Sequence, residues 1–137
     1  MPQVSDSSGR AVGGAILCGG KSTRMGTSKA LLPFGPETML QRVVRLLSGV
    51  VAPIVVAAVD QELPQLPAGV ILTRDENEGR GPLEGLRAGL KALPMHVDAA
   101  YVTSCDVPLL ETGFVRQIID LSRGYEIAVM EIDGFTH

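Results

Sequence analysis

Residues 12–29 read VGGAILCGGKSTRMGTSK, an apolar run that changes abruptly into a glycine-rich segment. The run from Val12 to Cys18 is typical of a strand buried on both faces of a parallel sheet. Gly19 and Gly20 follow it, and two adjacent glycines permit a sharp turn that brings backbone N–H groups close to an anion. The stretch therefore predicts a strand followed by a ligand-binding loop.

The charges in this segment favour a polyphosphate ligand. No Asp or Glu occurs between residues 11 and 36, whereas Lys21, Arg24 and Lys29 are all cationic. In a chain of net charge −3 this is a local positive excess, which suits a triphosphate. The alternative is a solvated surface loop whose charges serve no ligand, and residue types alone leave both interpretations open.

The segment is not a mononucleotide P-loop, although Gly20-Lys21-Ser22 matches the end of that motif. A P-loop requires a glycine at position 15, and that position is Ala15. The four spacer residues would also be ILCG, which belong to the apolar strand. We therefore expect no P-loop NTPase.

Short apolar runs alternate with helical patterns along the rest of the chain. Strands are predicted at 53–59, 69–73, 99–105 and 126–132, and helices at 39–47, 81–93 and 112–122, the first of them with Thr38 as its N-cap. Apolar strands separated by helices indicate an α/β fold with a mostly parallel sheet covered on both faces. Ligands of such sheets bind beyond the carboxyl ends of the strands, where the strand order reverses.

Asp106 follows the predicted strand 99–105 and precedes Pro108. At the carboxyl end of a strand its carboxylate can hold Mg²⁺, which binds proteins through one or two carboxylates and keeps waters and phosphates as its other ligands. The alternative is an aspartate that caps its own turn or the next helix. The cationic segment predicted beside Asp106 favours the metal site.

Composition argues against several classes of function. The net charge of −3 and an aromatic content of 4% without Trp speak against a nucleic-acid or anionic-membrane surface. No apolar run approaches the roughly 20 residues of a membrane span. Residues 1–10 lack the apolar centre of a signal peptide, so we expect a disordered lead-in to a cytoplasmic domain at 11–137. Cys18 and Cys105 are too few for a disulfide framework.

Three motifs resemble the molybdenum cofactor guanylyltransferase (MobA-like) family of nucleotidyltransferases. The first is Leu-x-Gly-Gly-x-Ser-x-Arg-Met-Gly followed by a lysine and an apolar pair, present here as Leu17, Gly19, Gly20, Ser22, Arg24, Met25, Gly26, Lys29, Leu31 and Leu32. The others are GPLEGLRAGL at 81–90 and VTSCDVPLL at 102–110. The resemblance implies a three-layer, Rossmann-like fold of the nucleotide-diphospho-sugar transferase type.

The resemblance also implies an activity: transfer of GMP from GTP to the phosphate of a molybdopterin-like acceptor, with release of pyrophosphate and Mg²⁺ as cofactor. Such a reaction needs positioning and charge neutralisation more than covalent chemistry. The catalytic residues it implies are Arg24, Lys29 and Asp106, with Asp106 as the metal ligand. The nucleotide-binding residues it implies are Leu17, Cys18, Gly19, Gly20, Lys29, Asp75, Gly81, Pro82 and Asp106.

Two features leave alternatives open. Ala57, Ala58 and Val59 offer no side-chain amide where the family carries an Asn near the base, so CTP, and with it a cytidylyltransferase or another NTP transferase of the superfamily, stays possible. The chain stops at MEIDGFTH, where family members continue. We therefore expect a C-terminally incomplete domain that carries the nucleotide-binding part, and a module that binds NTP without turnover is the remaining alternative.

Overall fold

The computed structural model describes residues 5, 9–18, 29–58, 63–74, 82–129, 131–132 and 135–136, with the backbone alone at 29, 82, 131–132 and 135–136. Its strands are β1 (Val12–Cys18), β2 (Pro33–Phe34), β3 (Glu37–Thr38), β4 (Ile54–Ala58), β5 (Ile71–Arg74), β6 (Ala99–Ser104), β7 (Glu131–Ile132) and β8 (Phe135–Thr136). Its helices are α1 (Met39–Ser48), α2 (Pro82–Ala92) and α3 (Thr112–Leu121), and a 3-10 turn spans Lys29–Leu31.

Four parallel strands form the central sheet, in the order β5-β4-β1-β6. The chain runs outward from β1 through β4 to β5 and then returns to the other side of β1 as β6. The strand order therefore reverses between β1 and β6, which is the point where sheets of this type bind ligands. The predicted parallel α/β sheet is confirmed.

Helices cover both faces of the sheet. On one face, Leu47 of α1 packs close to the backbone of Gly14 in β1, and on the other, Gly89 of α2 lies against Ala15 and Ala57. The helices α1 and α3 contribute to one buried cluster, through Leu40, Val43, Val44, Leu47, Val115 and Ile119. The result is the predicted three-layer arrangement. Within the described part of the chain, no helix has both the length and the apolar character that a membrane span requires.

The predicted N-cap of α1 is confirmed. The Thr38 hydroxyl accepts a hydrogen bond from the Gln41 backbone N–H at 3.2 Å, and Gln41 Oε1 accepts one from the Thr38 N–H at 2.9 Å. This reciprocal pair satisfies two N–H groups at the start of the helix, and losing such a cap typically costs about 1 kcal/mol. The cap therefore sets where α1 begins and how the preceding chain enters it.

The strand predicted at 126–132 is wrong over most of its length. Residues 126–129 lie in no strand and are exposed, with Ile127 at 80% of its full accessibility. Only Glu131–Ile132 form a strand, which pairs with β8 in a separate two-stranded ladder. An apolar run becomes a strand only where another strand offers backbone partners, and periodicity carries no information about that.

The hairpin formed by β2 and β3 is not predicted from the sequence. Its strands have two residues each, too few to show an alternating pattern. Gly35, with φ of 65°, and Pro36 form the turn between them. A glycine in the left-handed region at the first turn position is a known hairpin signal. Gly35-Pro36 is therefore the sequence feature from which this hairpin could have been predicted.

Gly14 lies where α1 packs most tightly against β1. A Cβ atom at this position would lie 2.9 Å from Ile54 Cδ1, Leu47 Cδ2 and Val51 Cγ2, all on side chains that are almost fully buried. Because these three buried methyl groups would have to shift to admit the new atom, we expect Gly14→Ala to lower the free energy of unfolding by about 1–3 kcal/mol. Urea unfolding followed by circular dichroism measures the change.

Gly89 provides the matched control. A Cβ there would lie 3.5 Å from the Ala15 Cβ, which is an ordinary van der Waals contact. Since alanine favours a helix interior over glycine, Gly89→Ala should be neutral or stabilise by up to about 1 kcal/mol. Equal destabilisation by the Gly14 and Gly89 substitutions would contradict the role of close packing at Gly14.

Candidate functional site

The carboxyl ends of β1 and β6 lie side by side at the point where the strand order reverses. Leu17 and Ser104 are partners in the ladder, and the Cys105 N–H donates to the Leu17 carbonyl oxygen at 3.2 Å. The strand β1 ends at Cys18, and Asp106 follows two residues after the end of β6. Cys18 and Asp106 therefore lie at the same edge of the sheet.

The hydroxyl of Ser104 orients the Asp106 carboxylate. Ser104 Oγ donates to Asp106 Oδ1 at 2.5 Å, and the Asp106 N–H lies 3.5 Å from the same Oγ. Asp106 is exposed, and the N-cap of α3 is Glu111. The helix-capping alternative for Asp106 therefore does not hold. An oriented, accessible carboxylate at this edge is suited to bind a cation or a hydrogen-bond donor.

The thiols of Cys18 and Cys105 form a buried pair next to this carboxylate. Both cysteines are free and nearly inaccessible, at 1% and 3% exposure. The hydrogen bond with Cys105 and the burial of the thiol raise the pKa of Cys18 far above its usual range, and the negative charge of Asp106 adds to the effect. Cys18 is thus protonated at neutral pH and acts as a small buried hydrophobic residue.

We expect this pair to be chemically inert in the folded protein. Because only the thiolate reacts, alkylation by iodoacetamide at pH 8 should be at least about 100-fold slower in the native protein than in urea. The raised pKa of Cys18 also implies that the free energy of unfolding falls as the pH rises above the ordinary thiol value of 9.0, where only the unfolded chain ionises. Native labelling as fast as that in urea would contradict both statements.

Asp106 offers the kind of ligand that Mg²⁺ prefers. Among the residues described, no group of three His, Cys, Asp or Glu side chains is arranged to hold a metal ion. The neighbouring thiol of Cys18, since it stays protonated, is a poor ligand. Mg²⁺ can be held by a single carboxylate when waters and phosphate oxygens complete its shell, so Asp106 fits an ion that arrives with a nucleotide.

The predicted site residues fall into three groups. Leu17, Cys18 and Asp106 lie together at the edge described above. Lys29 begins the 3-10 turn and Pro82 begins α2, with their backbones alone described. The remaining predicted residues lie outside the described part of the chain: Gly19, Gly20, Arg24, Asp75 and Gly81.

Two residues that contact this region were missed by the sequence analysis. A sequence signal for Ser104 exists, because a serine hydroxyl often bonds the backbone N–H two residues further on, which here belongs to Asp106. No local sequence signal exists for Arg42, because its Nε donates to the carbonyl oxygen of Pro108, 66 positions away in the sequence, at 2.5 Å. Local patterns cannot report a contact of that range.

A separate groove of about 220 Å³ lies between β5 and α2, lined by Thr73, Arg74, Glu84, Arg87, Ala88, Lys91 and Ala92. Its Arg87 lies 3.8 Å from Glu84, with 70% of the Arg87 side chain exposed. The strand β5 forms the opposite edge of the described sheet from β6, which precedes Asp106. The reversal point between β1 and β6, rather than this groove, is therefore the candidate site.

Comparisons with known proteins identify the family of the chain. The family model of the MobA-like NTP transferase domain matches residues 14–137. A protein of Carboxydothermus hydrogenoformans named probable molybdenum cofactor guanylyltransferase is 34% identical over 120 residues, covering 88% of this chain and 59% of that protein. A Mycobacterium tuberculosis protein of the same name is 42% identical over 114 residues, covering 80% and 54%.

Solved structures show the same fold. The crystal structure of Rv0371c from Mycobacterium tuberculosis has a TM-score of 0.71 and 21% identity, covering 89% of this chain and 62% of that one. The chain spans 59% and 54% of the length of the two curated relatives above. Because the family model matches from Gly14 in β1 to the last residue, this chain belongs to the MobA-like NTP transferase family, as its three motifs predict.

Proposed function

We propose that this domain binds GTP together with Mg²⁺ between the ends of β1 and β6, and that it transfers GMP to the phosphate of a molybdopterin-like acceptor. One observation carries the proposal: β1 and β6 are neighbours, so the exposed Asp106 carboxylate lies at the same edge of the sheet as Cys18, the last residue of β1. The names of the curated relatives support GTP as the nucleotide.

The chemistry required is an in-line displacement at the α-phosphorus. An oxygen of the acceptor phosphate attacks, the bond to the bridging oxygen between the α- and β-phosphates breaks, and pyrophosphate leaves with the electron pair of that bond. Asp106 would hold Mg²⁺, which would supply positive charge to stabilise the leaving pyrophosphate. The protein's part is to hold the reacting groups in line and to complement their charge.

Backbone and basic side chains are suited to this part. In the proposal, the N–H groups of Gly19 and Gly20 donate to phosphate oxygens, while Arg24 and Lys29 neutralise the triphosphate. The backbone of Lys29 is held by its neighbour Ala30, which is buried in the core at 1% exposure. A backbone that is already fixed does not have to be ordered when the lysine binds phosphate, so less conformational entropy is lost.

Asp106 is proposed to hold the metal. Its carboxylate is already oriented by Ser104, so little rearrangement is needed when the nucleotide arrives with Mg²⁺. We also propose that Asp75, Gly81 and Pro82 contact the base or ribose, since α2 begins at Pro82 and β5 ends at Arg74, just before Asp75.

Calorimetric titration with GTP, CTP and ATP, with and without Mg²⁺, tests the binding part of the proposal. We expect GTP to bind most tightly of the three nucleotides, and to reach its full affinity only when Mg²⁺ is present. Pyrophosphate release on addition of molybdopterin tests the transfer part. Binding without release indicates an NTP-binding module, a preference for CTP indicates a cytidylyltransferase, and absence of nucleotide binding refutes the proposal.

A further inference from the structure

Arg42 of α1 contacts two parts of the candidate site that are distant in sequence. Its Nε donates to the Pro108 carbonyl oxygen at 2.5 Å, in the loop that carries Asp106. Its guanidinium carbon lies 4.9 Å from the centre of the Phe34 ring, and its Nη1 lies 3.7 Å from the Glu37 carboxylate. A single side chain thus joins the Asp106 loop to the hairpin formed by β2 and β3.

These contacts suit arginine and not lysine. The planar guanidinium donates to Pro108 at its Nε, pairs with Glu37 at an outer nitrogen and presents a face to Phe34. The Arg42 side chain is only 28% exposed, and that of Glu37 20%. Since water reaches this group only in part, its directed contacts hold their geometry better than those of a solvated surface pair.

The hairpin in turn lies next to the backbone of Lys29. The 3-10 turn Lys29–Leu31 ends two residues before β2 begins, and its Ala30 is buried in the core. The Met39 N–H donates to the Leu32 carbonyl oxygen at 2.8 Å, which ties the end of this turn to the start of α1. Arg42 projects from the same helix, so it links the backbone near Lys29 to the backbone near Asp106.

We propose that Arg42 is a positioning residue of the nucleotide site, which holds the Asp106 loop at a fixed distance from the Lys29 backbone so that both side chains reach one polyphosphate. The inference rests on the proposed function. Arg42 acts through the two segments it contacts and not on the substrate itself. This positioning role accounts for the contacts that Arg42 makes with both the hairpin and a loop 66 residues further along the chain.

Arg45 is the matched control on the same helix. Its Nε and Nη2 lie 3.2 Å and 2.7 Å from the Glu37 carboxylate, and its side chain is 57% exposed. The hydrogen bond from Arg45 lowers the pKa of Glu37, and the charge of Arg42 adds to that effect. Arg45→Ala therefore removes an arginine from the same ion-pair network while leaving the bond from Arg42 to Pro108 in place.

The test compares Arg42→Ala, Arg42→Lys and Arg45→Ala with the wild-type chain. The first measurement is the rate of amide hydrogen exchange at residues 105–110 in the absence of nucleotide. In this loop the Cys105 N–H bonds to the Leu17 carbonyl oxygen and the Leu110 N–H to that of Val107, so both amides report on opening of the loop. We expect Arg42→Ala to speed exchange there about 10-fold, because the loop loses its link to α1. Calorimetry should show the affinity for GTP in Mg²⁺ falling about 10-fold, while thermal unfolding confirms that the variant is folded.

The two other variants separate position from charge. Arg42→Lys keeps the charge without the planar group, so it should fold and recover part of both losses. Arg45→Ala should match the wild type in exchange at residues 105–110 and in affinity. Three results would overturn the inference: unchanged exchange in Arg42→Ala, faster exchange in Arg42→Ala with unchanged affinity for GTP, or an equal loss of affinity in Arg45→Ala. In each case the proposed function still stands if the wild-type chain binds GTP. A wild-type chain that binds no GTP overturns the proposed function and the inference with it.

Discussion

Replacing Asp106 with Asn is expected to weaken the affinity for GTP in Mg²⁺ about 100-fold while leaving the Mg²⁺-free affinity nearly unchanged. Asparagine has the same size and can still accept the hydrogen bond from Ser104, so the loop should keep its conformation. It lacks the negative charge that a hard divalent cation requires. Calorimetry with GTP in Mg²⁺ and in EDTA measures both affinities.

Asp120 provides a control for the loss of one negative charge. It lies on α3, with its side chain 43% exposed and its Oδ1 3.9 Å from Arg123. Asp120→Asn changes the net charge by the same amount as Asp106→Asn, and we expect it to bind GTP as the wild type does. If Asp106→Asn keeps the full response to Mg²⁺, Asp106 is not the metal-holding residue.

The second large effect is expected from Lys29. A charge-assisted hydrogen bond to phosphate contributes about 1.5–3 kcal/mol, so Lys29→Ala should weaken GTP binding by about 10- to 100-fold. The loss should appear both with and without Mg²⁺, because the proposed contact of Lys29 is with the phosphates and not with the metal. Stability should change by less than about 0.5 kcal/mol, since alanine is well tolerated in a helical turn.

Lys91 tests whether a general loss of positive charge explains the result. It lies in the last turn of α2 and is exposed. Lys91→Ala should leave the affinity for GTP within about twofold of the wild type at physiological ionic strength, because Lys91 lies about 13 Å along α2 from Pro82 and charges beyond about 8 Å are screened. Equal losses in Lys29→Ala and Lys91→Ala would remove Lys29 from the site.

The pattern across both variants is more informative than either one alone. An effect confined to Mg²⁺ conditions points to a residue that holds the metal, and an effect in both conditions points to a direct phosphate contact. Asp106 and Lys29 are predicted to differ in this way. If both lose affinity in parallel under all conditions, the division of roles between them is wrong even if both lie in the site.

Much of the fold could be predicted from local pattern. The apolar run of β1, the Thr38 cap of α1 and the alternation of strands with helices all depend on neighbouring residues, and each was predicted and confirmed. Errors arose where pairing partners decide the structure. Residues 126–129, three of them apolar, lie in no strand, and the short hairpin of β2 and β3 forms without a pattern long enough to detect.

Individual residues of the candidate site could be predicted from the sequence, but their proximity in the fold could not. Asp106 was singled out because it follows a strand, whereas Leu17 and Cys18 were implied by the resemblance to the MobA-like family. That β1 and β6 are neighbours follows from a strand order that chain order does not specify. The contact of Arg42 with Pro108 depends on that order and on the packing of α1 against the sheet.

The sequence by itself determined the family, the helices and the strands of the central sheet, and it supplied the residue types that predict a polyphosphate site, because motifs, caps and apolar periodicity are properties of residues close together in the chain. Only the tertiary structure decided which strands are adjacent, that the thiols of Cys18 and Cys105 meet, and that Arg42 joins the Asp106 loop to the hairpin near Lys29. Those features arise from packing and hydrogen bonding between segments tens of residues apart, where chain order imposes no distance.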